Sequence, residues 1–450
     1  MTLPPSDHDA LSLETLNLAL GHVPGYAPWR RFDPGRHVPL DQRYAALPVL
    51  TKQELRAHFP HGFIPHGRDL QAALASGEVE FAKTSGSTDD QVTLVFHAPW
   101  WEASERAAWQ LNARSAAIAT GSHREVVLAS PRCVGPGYTE RPLSVAERTL
   151  GRHLYLNQKM NPATWTDADV ARMAAELNEY QPVALEADPA YLAPFASRVE
   201  RAGLAIHQLQ IIFLTYSYPS RAYLRRIRRV FAAPTVSSYG STETGHVFMQ
   251  CEEGRLHQNT AHCRVDFEPW QSRYGGPTLG RLLVTVFHNP WFAVLRFDVG
   301  DVAHLDERGR CPCGRTDGLT LASIDGRTKD VTFTPEGEPV TVDRLDRALS
   351  GVEGLDAWQL DHRAAREFSL RIHTDASPTG RVRDAAAERL REIYGASCQV
   401  EVQAVASLEA ESSGKFRFVR SGFPVDHTVL YGAHHPSATD ESPFSVVHFP

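Results

Sequence analysis

Short apolar segments that end in polar turns alternate with amphipathic helices through the middle of this 450-residue chain. Residues 126–129 and 209–214 are apolar runs followed by turn residues, which is typical of buried strands in an α/β layer. Between them, Thr166 precedes an acidic first turn and apolar residues at helical spacing, and this pattern predicts a capped amphipathic helix. Ser220 has the same position before a second such helix. The alternation predicts an α/β fold.

The character of the sequence changes after about residue 325. Alternating runs at 357–361 and 367–373, a helical pattern over 383–394 and an apolar run near 400–405 predict a small α+β unit. We therefore place a boundary near Gly326 and Arg327. The expected parts are a large N-terminal α/β domain with layered sheets and helices (1–325), a C-terminal lid domain (326–425) and a tail (426–450).

Charge and composition argue against several classes of protein. The formal net charge of −7 is unfavourable for nucleic-acid binding, which needs a basic surface. No run approaches the ~20 apolar residues of a membrane span, and the first residues do not resemble a secretory signal. Six cysteines in a chain of this size suit a reducing cytoplasm. Five arginines of the second helix are interpreted as a solvated face rather than a binding patch: Arg221, Arg225, Arg226, Arg228 and Arg229.

A loop rich in hydroxyl groups follows a strand-like segment near residue 80. Its residues are Thr84, Ser85, Gly86, Ser87 and Thr88. Their N–H and O–H donors can surround a polyphosphate, and the glycine lets the backbone approach closely. The loop lacks the Gly-Lys-Ser/Thr ending of kinase-type and GTPase-type loops. Taken alone, the pattern also fits an ordinary turn.

Later segments add groups that suit a nucleotide. An adenine can stack on Tyr239, and Glu243 can hold a Mg²⁺ ion that bridges phosphates. Asp301 stands at the end of a predicted strand and offers a carboxylate to the two hydroxyls of a ribose. Lys415 lies on a glycine-containing turn near the end of the chain.

This ordered set resembles the adenylate-forming superfamily of acyl-CoA synthetases, luciferases and peptide-synthetase adenylation domains, over about residues 80–420. Within it the chain most resembles the phenylacetate-CoA ligase branch. That closer resemblance depends on Phe-Ala-Lys-Thr-Ser-Gly-Ser-Thr, Tyr-Gly-Ser-Thr-Glu and Cys-Pro-Cys-Gly-Arg. It implies an enzyme that converts a carboxylic acid and ATP into an acyl-AMP and pyrophosphate, and then transfers the acyl group to coenzyme A.

The resemblance also implies roles for individual residues. Loop 84–88 surrounds the β- and γ-phosphates, Thr242 reaches the α-phosphate, and Glu243 binds Mg²⁺. Lys415 bridges the attacking carboxylate and the α-phosphate, and Lys329 is the pivot of a mobile lid. The rest of the implied nucleotide-binding set is Ser238, Tyr239, Gly240, Ser241, Asp301 and Arg327.

An aromatic or small acid is expected in a pocket formed by Gly137, Tyr138, Tyr216, Gly245 and His246, although Tyr138 is equally well explained as a loop anchor. Apart from the roughly thirty residues that follow the Lys415 motif, the chain departs from its relatives at three places. Asp89 and Asp90 add two carboxylates beside the phosphate loop, where they should repel a triphosphate unless a cation compensates. Tyr216 stands where relatives have a Gly-Ala or Gly-Glu turn. The loop 334–339 is more acidic than the corresponding coenzyme-A-contacting loop.

Three cysteines and a histidine suggest a structural zinc site. Cys251 and His257 flank a turn, and Cys311 and Cys313 form a compact pair. One histidine and three thiolates suit tetrahedral zinc, and some relatives in the branch have a similar set. The alternative is a group of reduced, buried thiols. His262 and Cys263 are reserve ligands.

Two other functions remain open at this point. After adenylation, the acyl group could pass to an amine, a hydroxyl or a carrier-protein thiol in specialised metabolism. A catalytically silent zinc-containing binding protein belongs to a different class, but it would not need to keep Glu243, Asp301 and Lys415 together. Relatives in this branch are often homodimers, and no residue of this sequence decides the oligomeric state.

Overall fold

The computed structural model describes residues 7–84, 91–118, 121–375, 380–408, 410–411, 413–422 and 425–431. In these residues the α-helices are α1 (Asp7–His22), α2 (Leu40–Ala46), α3 (Lys52–His58), α4 (Leu70–Ser76), α5 (Ala98–Trp109), α6 (Ala113–Ile118), α7 (Asp167–Tyr180), α8 (Pro189–Ala202), α9 (Arg221–Val230), α10 (Val342–Ser350) and α11 (Gly380–Tyr394). None of these described helices combines the length and the apolar character that crossing a membrane requires.

The strands are β1 (Glu80–Lys83), β2 (Thr93–Phe96), β3 (Glu125–Leu128), β4 (Thr149–Leu150), β5 (His153–Tyr155), β6 (Ala184–Ala187), β7 (Ile211–Leu214), β8 (Thr235–Ser241), β9 (Gly245–Gln250), β10 (Leu256–Gln258), β11 (Cys263–Pro269), β12 (Leu279–Val286), β13 (Phe297–Leu305), β14 (Thr320–Arg327), β15 (Thr332–Phe333), β16 (Pro339–Val340), β17 (Ala357–Ala364), β18 (Glu367–His373), β19 (Gln399–Ala404) and β20 (Val419–Ser421). Short 3₁₀ helices span Pro24–Phe32, Ala146–Arg148, Pro162–Thr164, Ser272–Tyr274, Thr328–Asp330 and Thr428–Leu430.

The chain forms two compact units, each built from separate stretches of sequence. Unit 1 contains the described parts of Met1–Ala116, Ser238–Ser323 and Val429–Pro450. Unit 2 contains those of Ala117–Ser237 and Ile324–Thr428. The chain therefore passes from unit 1 to unit 2 within β14. The division into parts at 325 and 425 stays a prediction.

Unit 1 is built on antiparallel strands. β11 pairs with β12, and β12 pairs with β13. β9 lies between β8 and β10, and β10 pairs with the first residues of β14. β1 and β2 form a separate hairpin with Lys83 opposite Thr93. This pairing fixes both ends of the predicted phosphate loop.

Unit 2 contains a parallel layer in the order β7, β6, β3 and β5, with the first residues of β8 beside β7. The crossover helices begin at capping side chains. Thr166 and Asp169 form a capping box at α7, and Asp188 and Ser220 cap α8 and α9. The buried strands and both helices expected in this region are confirmed.

The C-terminal part of unit 2 is a small α+β body. Its sheet has the order β19, β18, β17 and β20, and it is accompanied by α10 and α11. Trp358 and Phe418 of this body belong to the same hydrophobic core as Tyr223 on α9. The ring centroids of Trp358 and Phe418 lie 4.9 Å apart, and those of Tyr223 and Phe418 lie 5.7 Å apart. The expected fold class, a large α/β part with a small α+β part, is confirmed.

The arginines of α9 form the solvated face that the sequence suggested only in part. Arg221 lies 3.0 Å from Asp343 and 2.8 Å from Asp346, both on α10. Arg225 donates to two backbone carbonyls, and only 4% of Arg226 is exposed. The interpretation is wrong for Arg221 and Arg226, which pack against acidic and polar groups of the same unit. Arg225, Arg228 and Arg229 are exposed, as a solvated face requires.

Candidate functional site

Thr84 closes the base of the predicted phosphate loop. Its backbone N–H donates to the carbonyl of Val92, and its hydroxyl accepts from the N–H of Val92, both at 2.9 Å. The amide of Gln91 donates to the carbonyl of Thr84 at 2.9 Å. The loop therefore starts and ends at fixed points. The other predicted members, Ser85, Gly86, Ser87 and Thr88, lie outside the described residues, as do Asp89 and Asp90.

The groups predicted for adenine and ribose lie together in unit 1. The phenol of Tyr239 donates a hydrogen bond of 2.7 Å to the carboxylate of Asp301. Asp301 lies inside β13, which continues to Leu305, rather than at the end of a strand as the sequence suggested. An irregularity in the pairing of β8 and β9 occurs between Tyr239 and Gly240. Such a bulge re-aims the side chains beside it.

Gly240 and Gly245 allow β8 and β9 to approach closely. A Cβ atom at Gly240 would lie 2.1 Å from the carbonyl oxygen of Gly245, so no other residue fits there without a backbone shift. Gly245 has a φ of +68°, and its Cβ would lie 2.7 Å from the hydroxyl of Ser104. Gly245, predicted in the acid pocket, thus has a packing role that the sequence did not reveal.

Glu243 is the buried carboxylate of this turn, with 5% of the residue exposed. Its Oε1 atom accepts no hydrogen bond from the described residues and lies 3.5 Å from the ammonium of Lys52. A buried carboxylate oxygen without a hydrogen bond is unusual and is suited to a cation. Lys52, at the start of α3, was missed by the sequence analysis because nothing in its local pattern links it to residue 243.

The hydroxyl groups around Glu243 hold the shape of the turn. The side chains of Ser241 and Thr244 lie within hydrogen-bonding distance, at 3.0 Å, and the N–H of Thr244 donates to the carbonyl of Ser241 at 3.1 Å. Thr242, the predicted partner of the α-phosphate, lies between them and is half-buried. The turn thus presents Thr242 on a fixed backbone.

His246 follows this turn and is neutral at pH 7. Burial, together with the nearby His262, lowers the pKa of His246 to about 4. Its Nδ1 lies 3.3 Å from the hydroxyl of Ser238, and its ring centroid lies 5.1 Å from that of Trp101. His246 therefore offers an uncharged ring surface.

The parallel strands of unit 2 end in polar residues at one edge of the layer. Ser130 follows β3, Asp188 follows β6, and Tyr216 follows β7. In the sheet, β5 lies on one side of β3 and β6 lies on the other side, so the chain crosses over β3 between them. Loops leave the sheet in opposite directions at such a switch point, and the crevice between them is the usual ligand site of α/β sheets. The crevice therefore lies between Ser130 and Asp188.

The turn that carries Lys415 is seated at this crevice. Ser130 donates to the carbonyl of Ser413 at 3.1 Å, and Tyr191 donates to the carbonyl of Gly414 at 2.9 Å. Gly414 has a φ of +80°, and a Cβ atom there would lie 2.1 Å from the hydroxyl of Ser130. Only glycine fits this seat, so the position of Lys415 is set by its neighbours on both sides of the crevice.

Asp188 provides negative charge near Lys415. Its carboxylate accepts from the N–H of Ala190 at 2.9 Å and from the hydroxyl of Ser217 at 2.5 Å. Burial raises the pKa of Asp188 to about 6, although Ser217 and the positive charge of Lys415 lower it. Asp188 and Lys415 are therefore close enough for their charges to interact.

Tyr216 and Glu186 form a half-buried pair beside the crevice. The phenol of Tyr216 donates to Glu186, and burial raises the pKa of Glu186 to about 7. Tyr216 has a φ of +69°, which is rare for a residue with a side chain and is concentrated at functional sites.

Two other predicted pocket residues lie on the loop after β3. Gly137 lines a cavity of about 10 Å³, the space of about one water, and Tyr138 is 49% exposed.

The segment of the predicted hinge is held by a half-buried ion pair. Lys329 lies in the turn Thr328–Asp330, and Asp330 is bound by Arg417 at 2.7 Å. Gly326 has a φ of +107° and contacts Val342 so closely that a Cβ atom would lie 2.7 Å from that side chain. Arg327, between these points, is half-buried.

The predicted zinc ligands lie together in unit 1. The ligand atoms of Cys251, His257, Cys311 and Cys313 are all within 4.8 Å of one another. The sulfurs of Cys251 and Cys311 are 3.8 Å apart, and His257 Nε2 lies 3.3 Å from the sulfur of Cys313. Tetrahedral zinc with Zn–S bonds of ~2.3 Å separates two sulfurs by about 3.8 Å. The four residues therefore fit a zinc ion.

Thr320, which lies outside this cluster, favours the orientation of His257 that a zinc ion would need. The Nδ1 atom of His257 lies 3.4 Å from the hydroxyl of Thr320, which leaves Nε2 directed at the sulfurs. The reserve ligands have other contacts: the sulfur of Cys263 lies 3.5 Å from the carbonyl of Asn259, and the ring of His262 packs on His288. Cys263 and His262 are therefore not part of the cluster.

The candidate residues are divided between the two units. Unit 1 holds Thr84, Tyr239, Glu243, Asp301 and the cysteine cluster. Unit 2 holds Gly137, Tyr216, Arg327, Lys329 and Lys415. Within unit 1, Tyr239 contacts Asp301 and the four predicted zinc ligands lie together, which the spacing along the chain could not show.

Similarity of the chain to known proteins is found among solved structures. No protein-family model and no curated protein matches it. The structure is similar to 2-hydroxyisobutyryl-CoA ligase in the postadenylation state with 2-HIB-AMP, with a TM-score of 0.67, 17% identity, and coverage of 93% of this chain and 94% of that one. An open conformation of that ligase with 2-HIB-AMP and CoA has a TM-score of 0.53 and 18% identity, with coverage of 93% of this chain and 95% of that one. An anthranilate CoA ligase with anthranoyl-AMP has a TM-score of 0.50 and 10% identity, with coverage of 75% of this chain and 65% of that one. The fold is that of the adenylate-forming acid:CoA ligases, as the resemblance implied.

Proposed function

We propose that this chain, which has the fold of the adenylate-forming ligases, uses ATP to convert a small or aromatic carboxylic acid into an acyl-AMP and transfers the acyl group to coenzyme A. The observation that carries the proposal is the seat of Lys415. Its turn is held by Ser130 and Tyr191 at the switch point of the parallel layer, where α/β sheets bind their ligands.

Adenylation joins two anions, because the carboxylate attacks the α-phosphorus of ATP while pyrophosphate leaves. The reaction therefore needs positive charge and fixed donors where negative charge accumulates. Lys415 supplies an ammonium group, and Thr242 supplies a hydroxyl on a fixed turn. Asp301 accepts the ribose hydroxyls, and its bond to Tyr239 holds the surface for adenine in place.

Glu243 is the residue proposed to hold Mg²⁺. Its Oε1 atom is buried without a hydrogen bond from the described residues, so the donor fits the ion. When bound, Mg²⁺ neutralises charge on the phosphate oxygens. Lys52, at 3.5 Å, holds the carboxylate in its orientation and balances its charge until the ion is bound.

The acid is proposed to lie at the edge where Tyr216 and the loop after β3 meet. Tyr216 replaces a small residue of the relatives and fills space beside the crevice, which favours acids of limited size. The similar ligases are bound to 2-HIB-AMP and to anthranoyl-AMP, one acyl group from a small hydroxy acid and one from an aromatic acid.

The test of the function is ATP–pyrophosphate exchange with a panel of hydroxy, aliphatic and aromatic acids. Exchange that depends on one class of acid is expected, and hydroxylamine should trap the corresponding hydroxamate without coenzyme A. Adding coenzyme A should then yield the acyl thioester. If no acid of the panel raises the rate of exchange above the rate measured without acid, the proposal is contradicted.

A second acceptor is favoured by one observation. Glu336 and Glu338, in the loop that contacts coenzyme A in typical ligases, are both exposed, and like charges repel the phosphates of coenzyme A. Transfer to an amine, a hydroxyl or a carrier-protein thiol would appear as hydroxamate formation with no coenzyme A thioester. Because Glu243, Asp301 and Lys415 are all present, a catalytically silent zinc-containing binding protein is the weaker reading.

Substitution of Tyr216 should change the range of acids. Tyr216→Gly suits the left-handed backbone and removes the ring, so kcat/KM for acids larger than the best wild-type substrate should rise by roughly 10- to 100-fold. Tyr216→Phe is the matched control, because it keeps the ring and loses only the bond to Glu186. An unchanged order of acid preference in Tyr216→Gly would remove Tyr216 from the acid pocket.

We also propose a structural zinc ion at Cys251, His257, Cys311 and Cys313. Elemental analysis of the purified chain should find about one zinc per chain, because four ligands close a tetrahedral site. Cys311→Ala should lose the metal and lower the thermal unfolding midpoint, whereas Cys263→Ala should keep it. Absence of stoichiometric zinc from the wild-type chain would leave reduced, buried thiols as the explanation.

A further inference from the structure

The connection between β7 and α9 contains a strained turn. Tyr216 has a φ of +69°, and across it the N–H of Ser217 donates to the carbonyl of Thr215 at 2.9 Å. A bond between residues two apart with a positive φ at the central one is the rare, strained form of the γ-turn. Strain of this kind persists only where the surrounding structure holds it. We call residues 215–217 the Tyr216 turn.

The parallel layer holds one side of the Tyr216 turn. The phenol of Tyr216 donates to Glu186 on β6. The hydroxyl of Ser217 donates to Asp188, which directly follows β6, at 2.5 Å. Both side chains of the turn that can donate a hydrogen bond to this layer therefore do so.

Helix α10 holds the other side, through the residues that follow the turn. The phenol of Tyr218, two residues beyond Tyr216, donates to Asp343 at 2.8 Å. The backbone N–H and the guanidinium of Arg221 donate to Asp346 at 2.9 and 2.8 Å. Only 4% of Asp343 and 1% of Asp346 are exposed. Because buried charges must stay paired, these bonds fix the end of the connection to α10.

The two aspartates also have partners inside the C-terminal body. Asp343 lies 2.5 Å from Arg347, and Asp346 accepts from the indole of Trp358 at 3.2 Å. Both carboxylates therefore belong to that body, and their bonds to Tyr218 and Arg221 join it to the Tyr216 turn.

We propose that Asp343 and Asp346 are positioning residues for the acid site, because they keep the Tyr216 turn in its strained conformation through Tyr218 and Arg221. When this hold is lost, the turn relaxes toward an ordinary backbone and the ring of Tyr216 leaves its place beside the crevice. The choice of acid thus depends on a helix of the C-terminal body. The inference rests on the proposed function, in which Tyr216 lines the acid pocket, but the hold on the turn does not.

Amide hydrogen exchange of the full chain, with no ligand added, is the first test. Tyr218→Phe removes the bond to Asp343 and keeps the ring that packs on Phe418. Arg221→Gln removes the charge that faces both aspartates. Each variant should speed exchange of the amides at 215–217 about tenfold or more, the usual scale of one lost bond to a charged group.

Arg225→Gln is the matched control. Arg225 lies one helical turn farther along α9 and donates to the carbonyls of Ser350 and Leu355 in the same body. Its loss weakens the contact of α9 with that body but not the hold on the Tyr216 turn, so exchange at 215–217 should stay at the wild-type rate. Unchanged exchange in both Tyr218→Phe and Arg221→Gln, or equal acceleration in Arg225→Gln, would overturn the proposal.

The second test uses the acid that gives the fastest ATP–pyrophosphate exchange in the panel. Tyr218→Phe should raise KM for this acid about tenfold and leave KM for ATP within about twofold of the wild type. Glycine adopts a positive φ without strain, so in a Tyr216→Gly chain the same change should add nothing further to KM for the acid.

The two tests separate the hold on the turn from the proposed function. Equal rises in both KM values, or effects of Tyr218→Phe and Tyr216→Gly that simply add, would show that α10 only stabilises the fold and would overturn the positioning role. If no acid supports pyrophosphate exchange while amide exchange responds as expected, the hold by α10 is upheld and the proposed function is rejected.

Discussion

Lys415→Ala is expected to lower acid-dependent ATP–pyrophosphate exchange by roughly 10²- to 10³-fold, the usual effect of removing one donor that stabilises a transition state. The reason is electrostatic. The attacking carboxylate and the α-phosphate are both negative, and the ammonium of Lys415 is the proposed positive charge between them. The loss should appear mainly in kcat, because the lysine acts on charge that develops during the reaction.

Arg420→Ala is the matched control for this substitution. Arg420 lies on β20, five residues beyond Lys415 in the numbering, and pairs with Glu411 near the surface. Removing it should leave exchange within about twofold of the wild type, because exposed pairs contribute little. Wild-type exchange in Lys415→Ala would show that the lysine is an ordinary solvated side chain, and the proposed function would lose its main support.

As pH rises, Glu186→Gln is expected to lose less free energy of unfolding than the wild type. Burial raises the pKa of Glu186 from 4.5 to about 7 in the folded chain. Between those values the folded chain keeps the proton and the unfolded chain does not, so the wild type loses stability as pH increases from about 4.5 to 7. The total loss is about 3 kcal/mol, at 1.36 kcal/mol for each pKa unit. Glutamine has no such proton.

The measurement is chemical denaturation of both chains at pH 5 and pH 8. The difference in free energy of unfolding, variant minus wild type, should increase by up to about 3 kcal/mol between these values. Glu200→Gln removes an exposed carboxylate near α9 and should show no such increase. A constant difference for Glu186→Gln would mean that Glu186 is ionised with an ordinary pKa and that its pairing with Tyr216 has another basis.

Local patterns predicted the elements well, because they depend on residues that are close in sequence. Thr166 and Ser220 cap their helices as expected, since a capping side chain acts within one turn. The cysteine cluster was also predictable in outline, because few residue types bind zinc. Whether the ion is present stays a prediction.

Long-range partners could not be predicted in the same way. Lys52 meets Glu243, and Arg221 meets two aspartates of α10, but neither helix pattern indicates its partner. The same is true of the glycines at 240 and 414. Their small size is obvious in the sequence, but the carbonyl and hydroxyl that exclude a Cβ atom come from distant segments. Tertiary packing decided these features.

The closure of the β1–β2 hairpin has a consequence for how this protein can evolve. Thr84 and Val92 hold the two ends of the loop by backbone and side-chain bonds, and the strand register continues behind them. The register of β1 and β2 is set by pairs that lie outside residues 85–90. We therefore expect substitutions at 85–90, Asp89 and Asp90 included, to be tested by selection for their chemistry more than for their effect on strand pairing.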